Sequence, residues 1–277
     1  MHIVKKLLIA PVFLILLAIT FYLFNPYLSS FDKLFTFGLE SFVELAILTL
    51  FLTLACLSSI LFAALSFDWR YVFPISVAGG LVPFLIIPSS VGVILGAGIF
   101  VALIITNLVL ENRLKAYIDF HPSALLTPSV KQLSSLIILA LAFSFYLSTT
   151  SSISQKGFEI PDSLINSSLN LMPQNSFSNT EDNLSNSSDL TQTLLKKTIK
   201  EQFKTMLDPY LGIIPLVLAA LFFVSLHSIA SLLFILFPSL IFIIFYLLEK
   251  SNFIRFEKEM REVKKLVISS LPNSSPP

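Results

Sequence analysis

The chain has 277 residues, of which 55% are hydrophobic and only 13% are charged, about half the charged share of an ordinary soluble domain. This composition excludes an intrinsically disordered protein, and it excludes a simple soluble globule because too little polar surface would face water. The 18 basic and 17 acidic residues give a net charge of +1, so no basic field recruits nucleic acid, and a single cysteine, Cys56, excludes an internal disulfide and a thiolate zinc site. The sequence therefore predicts an integral membrane protein.

Four apolar runs in the first half of the chain approach the length of about 20 residues that a membrane-spanning helix needs. They are Leu7–Phe24, Leu45–Phe67, Tyr71–Ile87 and Val91–Leu110. The first is expected to be an uncleaved span, because it exceeds the apolar core of a signal peptide and Asn25-Pro26-Tyr27 follows without a cleavage pattern. The third contains Pro74 and Pro83 and is predicted to be kinked or broken, because proline removes a backbone donor.

Two short patterns accompany these runs. Trp69 and Tyr71 flank Arg70, which is typical of the membrane–water interface, where amphipathic rings lie at headgroup depth. Gly92 and Gly96 form a G-x-x-x-G motif, which lets two helix backbones approach closely. Packing within the chain is the favoured interpretation of this motif, and dimerisation is the alternative.

The middle of the chain is more polar. Residues 111–131 are interpreted as a connector with two prolines, and Leu133–Leu147 as a further span that closes an N-terminal transmembrane bundle, residues 1–148. Residues 149–188, rich in Ser and Asn, are predicted to be a polar loop. Residues 189–208 are predicted to form an amphipathic helix, because apolar side chains recur at helical spacing with lysines on other faces.

Apolar sequence returns at residue 210. Residues 210–249 are predicted to form a transmembrane helical hairpin, Tyr210–Leu226 and Ile229–Leu248, with its turn at His227 and its Ser neighbours. Residues 250–277 form a basic amphipathic tail, a pattern typical of a helix on an anionic leaflet or against a partner helix.

Two arrangements in the membrane stay open from the sequence. Seven crossings place the two chain ends on opposite faces. Six crossings, with Tyr71–Ile87 as a re-entrant segment, place both ends and the Ser/Asn-rich loop in the cytoplasm, and the preference of Lys and Arg for cytoplasmic loops favours this arrangement.

No catalytic, cofactor-binding or metal-binding residue is predicted. The histidines lack metal-binding spacing, and the phosphate-loop, dinucleotide and nucleophile-elbow motifs are missing. Two side-chain pairs at span ends, Glu40 with Glu44 and Asn107 with Glu111, are weighed as cation or proton sites, and an ordinary interfacial role is favoured for both. His227 is judged a poor proton carrier because a hairpin turn is a poor place for a proton path.

Three stretches resemble uncharacterised multi-pass membrane proteins of small-genome bacteria of candidate phyla. They are residues 126–131 (LTPSVK), 158–165 (FEIPDSLI) and 256–267, and the resemblance covers the second half of the chain. It implies no activity, cofactor or site residue.

The sequence as a whole predicts an all-α polytopic membrane helical bundle with six or seven spanning segments and two amphipathic helices, in the cell membrane. The leading functional hypothesis is a non-enzymatic scaffold or assembly partner, whose partners are the lipid bilayer and a protein bound through the amphipathic helices. The alternative is a transporter or channel that uses a broken helix, residues 71–98, in its pathway.

Overall fold

The computed structural model describes residues 9–29, 39–66, 68–116, 121–156 and 208–251. Within these ranges the chain forms seven α helices and no strand. They are α1 (Ile9–Ser29), α2 (Leu39–Ser66), α3 (Trp69–Ile86), α4 (Ser90–Ala116), α5 (Pro122–Lys156), α6 (Ile214–Leu233) and α7 (Phe237–Lys250), with a 3-10 turn, Asp208–Tyr210, before α6. Helices α1 to α6 are long and apolar enough to cross a membrane. The predicted polytopic helical bundle is confirmed, and the protein is a multi-pass membrane protein. The two predicted amphipathic helices lie almost wholly outside the described residues.

Several polar side chains of the helices bond within their own helix, as a lipid environment favours. Hydroxyl groups in the apolar runs donate hydrogen bonds back to the carbonyl one turn earlier, for example from Thr49 to Leu45 at 2.7 Å and from Ser76 to Val72 at 2.9 Å. Asp68 precedes α3 and its carboxylate accepts a hydrogen bond from the Arg70 N–H at 3.0 Å, which caps the helix. These local bonds let polar residues occur within spans.

From α1 to α6, each helix runs antiparallel to the next, which gives the bundle two ends. At one end, called the Tyr27 end, Tyr27 near the end of α1 donates to Glu44 near the start of α2, and Ser148 of α5 donates to the Leu28 carbonyl. At the other, called the Trp69 end, Trp69 at the start of α3 contacts Glu111 near the end of α4. Helices α1, α3 and α5 begin at the Trp69 end, and α2, α4 and α6 begin at the Tyr27 end.

Helix α5 lies at the centre of the bundle and packs against α1, α2, α4, α6 and α7. Its core-facing side chains, among them Leu126, Leu133, Ile137 and Leu141, are fully buried. The buried side chains of the described helices form one continuous apolar core around it. Five neighbouring helices therefore contact this span.

Prolines lie inside the apolar helices α1 and α3. Helix α1 extends beyond the predicted span, through Pro26 to Ser29. Helix α3 is continuous from Trp69 to Ile86 with Pro74 and Pro83 inside it, so the predicted break in this region is not observed. The interruption falls instead at 87–89, between the antiparallel helices α3 and α4. Residues 71–98 are therefore part of a helical hairpin and not one discontinuous helix.

The polar segments beside α5 are shorter than predicted. Residues 111–116 belong to α4 and residues 122–131 belong to α5, so most of the predicted connector is helical. Residues 149–156, assigned to the Ser/Asn-rich loop, form the last turns of α5. Packing against neighbouring helices stabilises these polar turns as helix, and a polar sequence does not by itself reveal such packing.

The predicted hairpin at 210–249 was also wrong. Helix α6 runs through His227 without a turn, and the change of direction lies at 234–236. Backbone hydrogen bonds continue across that turn, from the Phe234 N–H to the Ala230 carbonyl and from the Leu240 N–H to the Leu236 carbonyl. Both α6 and α7 pack on α5 and not against each other. The segment is one bent helix, with Pro238 at the start of its second arm.

This geometry changes the expected arrangement in the membrane. The described helices include six candidate crossings, and α3 is one of them as a full-length candidate span and not as a re-entrant segment. Helix α1 begins at the Trp69 end, and α7 ends there. The chain leaves α5 and enters α6 at the Tyr27 end, so the link formed by residues 157–207 starts and finishes on the face opposite the start of α1 and the end of α7. The six-crossing arrangement expected from the sequence had put that link and both chain ends on one face.

Candidate functional site

The α3–α4 hairpin carries the most distinctive polar contact of the described helices. The Trp69 ring N–H donates to one carboxylate oxygen of Glu111 at 2.8 Å. The other oxygen of that carboxylate accepts from the Lys115 ammonium at 2.6 Å, one turn further along α4. Trp69 lies in the first turn of α3, immediately after its Asp68 cap. The three side chains, called the Trp69 clamp, join the start of α3 to the end of α4, the level at which the sequence predicts the membrane interface.

A small pocket lies beside the Trp69 clamp. It is lined by side chains of α2, α3 and α4 and by the Asp68 cap: Ala63, Asp68, Trp69, Val72, Asn107, Leu110, Glu111 and Leu114. The Asn107 side chain is 7% exposed and has no hydrogen-bond partner among the described residues. The pocket volume of about 30 Å³ suffices for one or two water molecules but not for an organic substrate. A water molecule is the species that this pocket suits.

A larger concavity opens on the outer face of the same hairpin and is called the lateral groove. It has a volume of about 490 Å³ and an almost wholly apolar surface. Residues from both helices line it: Val77, Gly80, Leu81, Phe84, Val93, Gly96, Ala97 and Phe100. This volume is within the range of ligand pockets in proteins. Because no charged or hydrogen-bonding side chain lines it, the lateral groove suits an apolar chain or a helix surface.

Two glycines form the base of the lateral groove. A Cβ atom added to Gly80 would lie 3.0 Å from the Gly96 carbonyl oxygen, and one added to Gly96 would collide with the Gly80 carbonyl. The two helices therefore touch through their backbones at this point. In the predicted G-x-x-x-G motif, Gly96 packs on α3 and Gly92 packs on the Ile87 carbonyl just before α4. Packing within the chain, the favoured interpretation, is thus observed at both glycines.

A second groove lies between α4 and α5, with a volume of about 370 Å³. Its lining is equally apolar and consists of Gly98, Val101, Ala102, Ile105, Leu136, Leu139, Ala140 and Phe143. Gly98 faces the Ala140 methyl group at the base, so small residues again bring two helices close. The outer surface of α4 is therefore bordered by a concavity on each side.

The side chains singled out from the sequence are scattered over the bundle. Glu44 is exposed and accepts the Tyr27 hydroxyl hydrogen bond at 3.0 Å, which ties α1 to α2. His227 is exposed within α6 and stacks on Phe223, with ring centroids 5.6 Å apart. Cys56 is fully buried in α2. Glu40 belongs to α2, although its side chain lies outside the described part. Of the candidate pairs, only Asn107 and Glu111 line a common pocket.

Sequence analysis missed a set of buried hydroxyl groups. Five of them have no hydrogen-bond partner in the part of the chain that the structure describes: those of Ser58, Thr106, Thr127, Ser129 and Ser144. A sixth, on Ser134, lies beside the Cys56 thiol. Hydroxyls inside a bundle normally bond to a carbonyl of their own helix or to ordered water. They lie on α2, α4 and α5 and share no cavity described here, and no sequence signal separates them from the many self-bonded Ser and Thr residues of the same helices.

Chemically, the described residues provide two apolar grooves, one water-sized pocket and an interfacial clamp. No group of three or more His, Cys, Asp or Glu side chains suited to a metal ion occurs within the described ranges. The chain matches no family model, no curated protein and no solved structure.

Proposed function

We propose that this multi-pass membrane protein is a non-enzymatic scaffold that holds a transmembrane helix of a partner protein in its lateral groove. The observation that carries the proposal is the groove itself, about 490 Å³ in volume, apolar, and built on a glycine backbone contact. Assembly through the two amphipathic segments, residues 189–208 and 250–277, belongs to the same proposal, but these segments lie outside the described residues.

Shape is the reason why the lateral groove suits a helix. Inside a bilayer, lipid tails are as apolar as leucine, so an exposed apolar side chain does not by itself favour a protein contact. Helices associate there through close van der Waals packing, and a concave surface offers more such contacts than a convex one. Phe84 and Phe100 line the groove beside the Gly80–Gly96 base, so a ridge of side chains from another helix would contact both rings and the glycine backbones.

Site-specific photocrosslinking tests the proposal. A photoreactive residue at Leu81, which lines the lateral groove, is expected to give a discrete protein adduct in native membranes. The same probe at Leu221, which is 58% exposed on α6, is the matched control and is expected to give lipid adducts only. The substitution Ala97→Phe fills the groove and should abolish the protein adduct at Leu81. Lipid adducts alone at Leu81, or a protein adduct that survives Ala97→Phe, would contradict the proposal.

The orientation that we propose places the Trp69 end in the cytoplasm of a cell membrane. Five of the six described Lys and Arg residues lie toward that end: Arg70, Arg113, Lys115, Lys131 and Lys250. Lys156, at the end of α5, is the sixth. Because Lys and Arg near span ends favour the cytoplasmic side, both chain ends are cytoplasmic and residues 157–207 begin and end outside.

Cysteine labelling with a membrane-impermeant maleimide tests this orientation. Ser151 and Ser251 are both exposed and lie at opposite ends of the bundle. Ser151→Cys is expected to react in intact cells, and Ser251→Cys only after the membrane is opened. Buried Cys56 should stay unlabelled in both variants. The reverse pattern would overturn the orientation without affecting the groove proposal.

A further inference from the structure

Helix α7 has an apolar face that no described residue covers. Phe237, Ile241 and Phe245 recur every four residues and are buried against α5. On the outer side Phe242 is 69% exposed and Leu247 is 56% exposed, with Ile243 and Tyr246 between them. Water would be an unfavourable neighbour for so many large apolar side chains. The chemistry of this face therefore requires a lipid or protein neighbour.

The length of the α6–α7 segment limits where α7 can lie. Helix α6 has 20 residues and is about 30 Å long, which equals the thickness of the hydrocarbon core. Residues 214–250 together would measure about 55 Å, and a straight helix of that length would fit only with a tilt of about 57°. Membrane helices tilt by about 20° on average and up to about 40°. Helix α6 alone therefore spans the core.

A charged side chain marks the level at which α6 leaves the core. The Lys131 ammonium lies 5.8 Å from the centre of the Phe234 ring, immediately before α7 begins. A lysine at this depth extends its ammonium toward the headgroups. Helix α7 therefore starts where the apolar core ends, and its outer apolar face lies at the boundary between acyl chains and headgroups.

Both helices contain a proline at this level. Pro128 lies three residues before Lys131 in α5, and Pro238 lies four residues after Phe234. Because α5 and the α6–α7 segment run antiparallel, the two prolines stand at nearly the same depth. Proline weakens the helical hydrogen-bond ladder and allows a bend. The first turns of α5 and the whole of α7 can thus turn away from the membrane normal together.

We infer that α7 is an interfacial anchor helix that binds the lipid leaflet at the Trp69 end. Its outer side chains, Phe242, Ile243, Tyr246 and Leu247, enter the acyl chains of that leaflet. Lys250 at its end, together with Lys131, meets anionic phosphate groups, which attract basic residues near the surface. This inference does not depend on the lateral groove, which lies on other helices.

Spin-label accessibility in the full-length protein tests the inference. Cys56→Ala gives a cysteine-free background, and single labels are placed at Phe242→Cys, Leu247→Cys, Leu221→Cys and Ser251→Cys. The protein is reconstituted in vesicles of phosphatidylethanolamine and phosphatidylglycerol. At Phe242 and Leu247 we expect oxygen accessibility several-fold above that at Ser251, with a lipid depth shallower than at Leu221 in the middle of α6.

Three results would overturn the inference. High accessibility of Phe242→Cys and Leu247→Cys to a water-soluble nickel complex would place α7 in water. Low accessibility to both oxygen and nickel would show that protein covers the face. A depth equal to that of Leu221 would make α7 part of a transmembrane span. The Leu221 and Ser251 labels verify in each preparation that the bundle is correctly inserted.

Discussion

Two helix contacts in this bundle use opposite means of packing in lipid. At the Tyr27 end, α1, α5 and α6 meet through aromatic rings, and Phe222 contacts Phe24, Tyr27 and Phe145 with ring centroids 5.8, 6.3 and 5.1 Å apart. In the α3–α4 hairpin, Gly80 and Gly96 bring the backbones themselves together. Both contacts gain van der Waals energy without help from the hydrophobic effect.

The two contacts should be destabilised by opposite changes in side-chain volume. The aromatic contact depends on volume that is present, so it is sensitive to removal of atoms. The glycine contact depends on volume that is missing, so it is sensitive to addition of atoms. A smaller side chain should therefore destabilise the aromatic contact, and a larger one should destabilise the glycine contact. Paired substitutions can therefore separate the two modes.

The largest expected effect is that of Phe222→Ala. This substitution removes a fully buried ring that contacts three others, and it should lower the free energy of unfolding by about 4 kcal/mol, since buried Phe→Ala changes leave a cavity. Denaturation by sodium dodecyl sulfate in mixed micelles measures the change. Leu221→Ala, the adjacent lipid-exposed position, is the control and should have little effect. Equal losses in the two variants would show that the aromatic contact is not the source of stability.

The second effect in size is that of Gly96→Ala. The added methyl group meets the Gly80 carbonyl oxygen, a backbone atom that cannot rotate away, so α3 and α4 have to separate. We expect a loss of about 3 kcal/mol, at the upper end of the range for overpacking. Gly212→Ala serves as the control, because nothing lies within 4 Å of its added carbon.

A double substitution sharpens this prediction. Once Gly96→Ala has separated the helices, Gly80→Ala should cost little more, so the two losses should fall well short of additivity. Full additivity in the same micelle denaturation assay would contradict a direct backbone contact between Gly80 and Gly96.

Four of the spans could be predicted from the sequence more closely than α3 and the segment that contains α6 and α7. The apolar runs of α1, α2, α4 and α5 were recognisable because length and composition alone decide whether a segment spans. Helix α3 was predicted to be kinked or broken at Pro74 and Pro83. The break is not observed, because neighbouring α1 and α4 support a proline-containing helix and the sequence does not reveal them. Local proline chemistry was outweighed by packing.

The prediction of a hairpin turn in the apolar segment after residue 210 was wrong for a related reason. Ser225, His227 and Ser228 suggested a turn, but in the helix Ser225 donates to the Leu221 carbonyl at 2.8 Å and His227 stacks on Phe223. Polar side chains that are satisfied within their own helix carry no turn signal.

The contacts of the candidate site likewise could not be predicted from the sequence. Trp69 and the Asn107–Glu111 pair were each assigned to the interface, yet their contact joins residues 42 positions apart and depends on the hairpin.

A smaller effect is expected for Trp69→Phe, which keeps the ring but removes the hydrogen bond to Glu111. The loss in unfolding free energy should be below that of Gly96→Ala, because one interfacial hydrogen bond is replaced in part by water. Tyr71→Phe is the control, since the Tyr71 hydroxyl makes no hydrogen bond to any described residue. If Trp69→Phe were indistinguishable from Tyr71→Phe, the Trp69 clamp would not contribute to holding the hairpin.

The smallest effect is expected for Lys115→Met, which removes the other partner of the same Glu111 carboxylate. The Lys115 side chain is 68% exposed, so water and salt compete with its ion pair. We expect a slight destabilisation at low salt that vanishes at high salt, whereas the loss from Trp69→Phe should persist, because its hydrogen bond is partly buried. Micelle denaturation of both variants at two salt concentrations makes the comparison. If the loss in Lys115→Met did not depend on salt and equalled the loss in Trp69→Phe, the ion pair would contribute as much as the indole hydrogen bond to joining the ends of α3 and α4. The expected order of the two contacts would then be wrong.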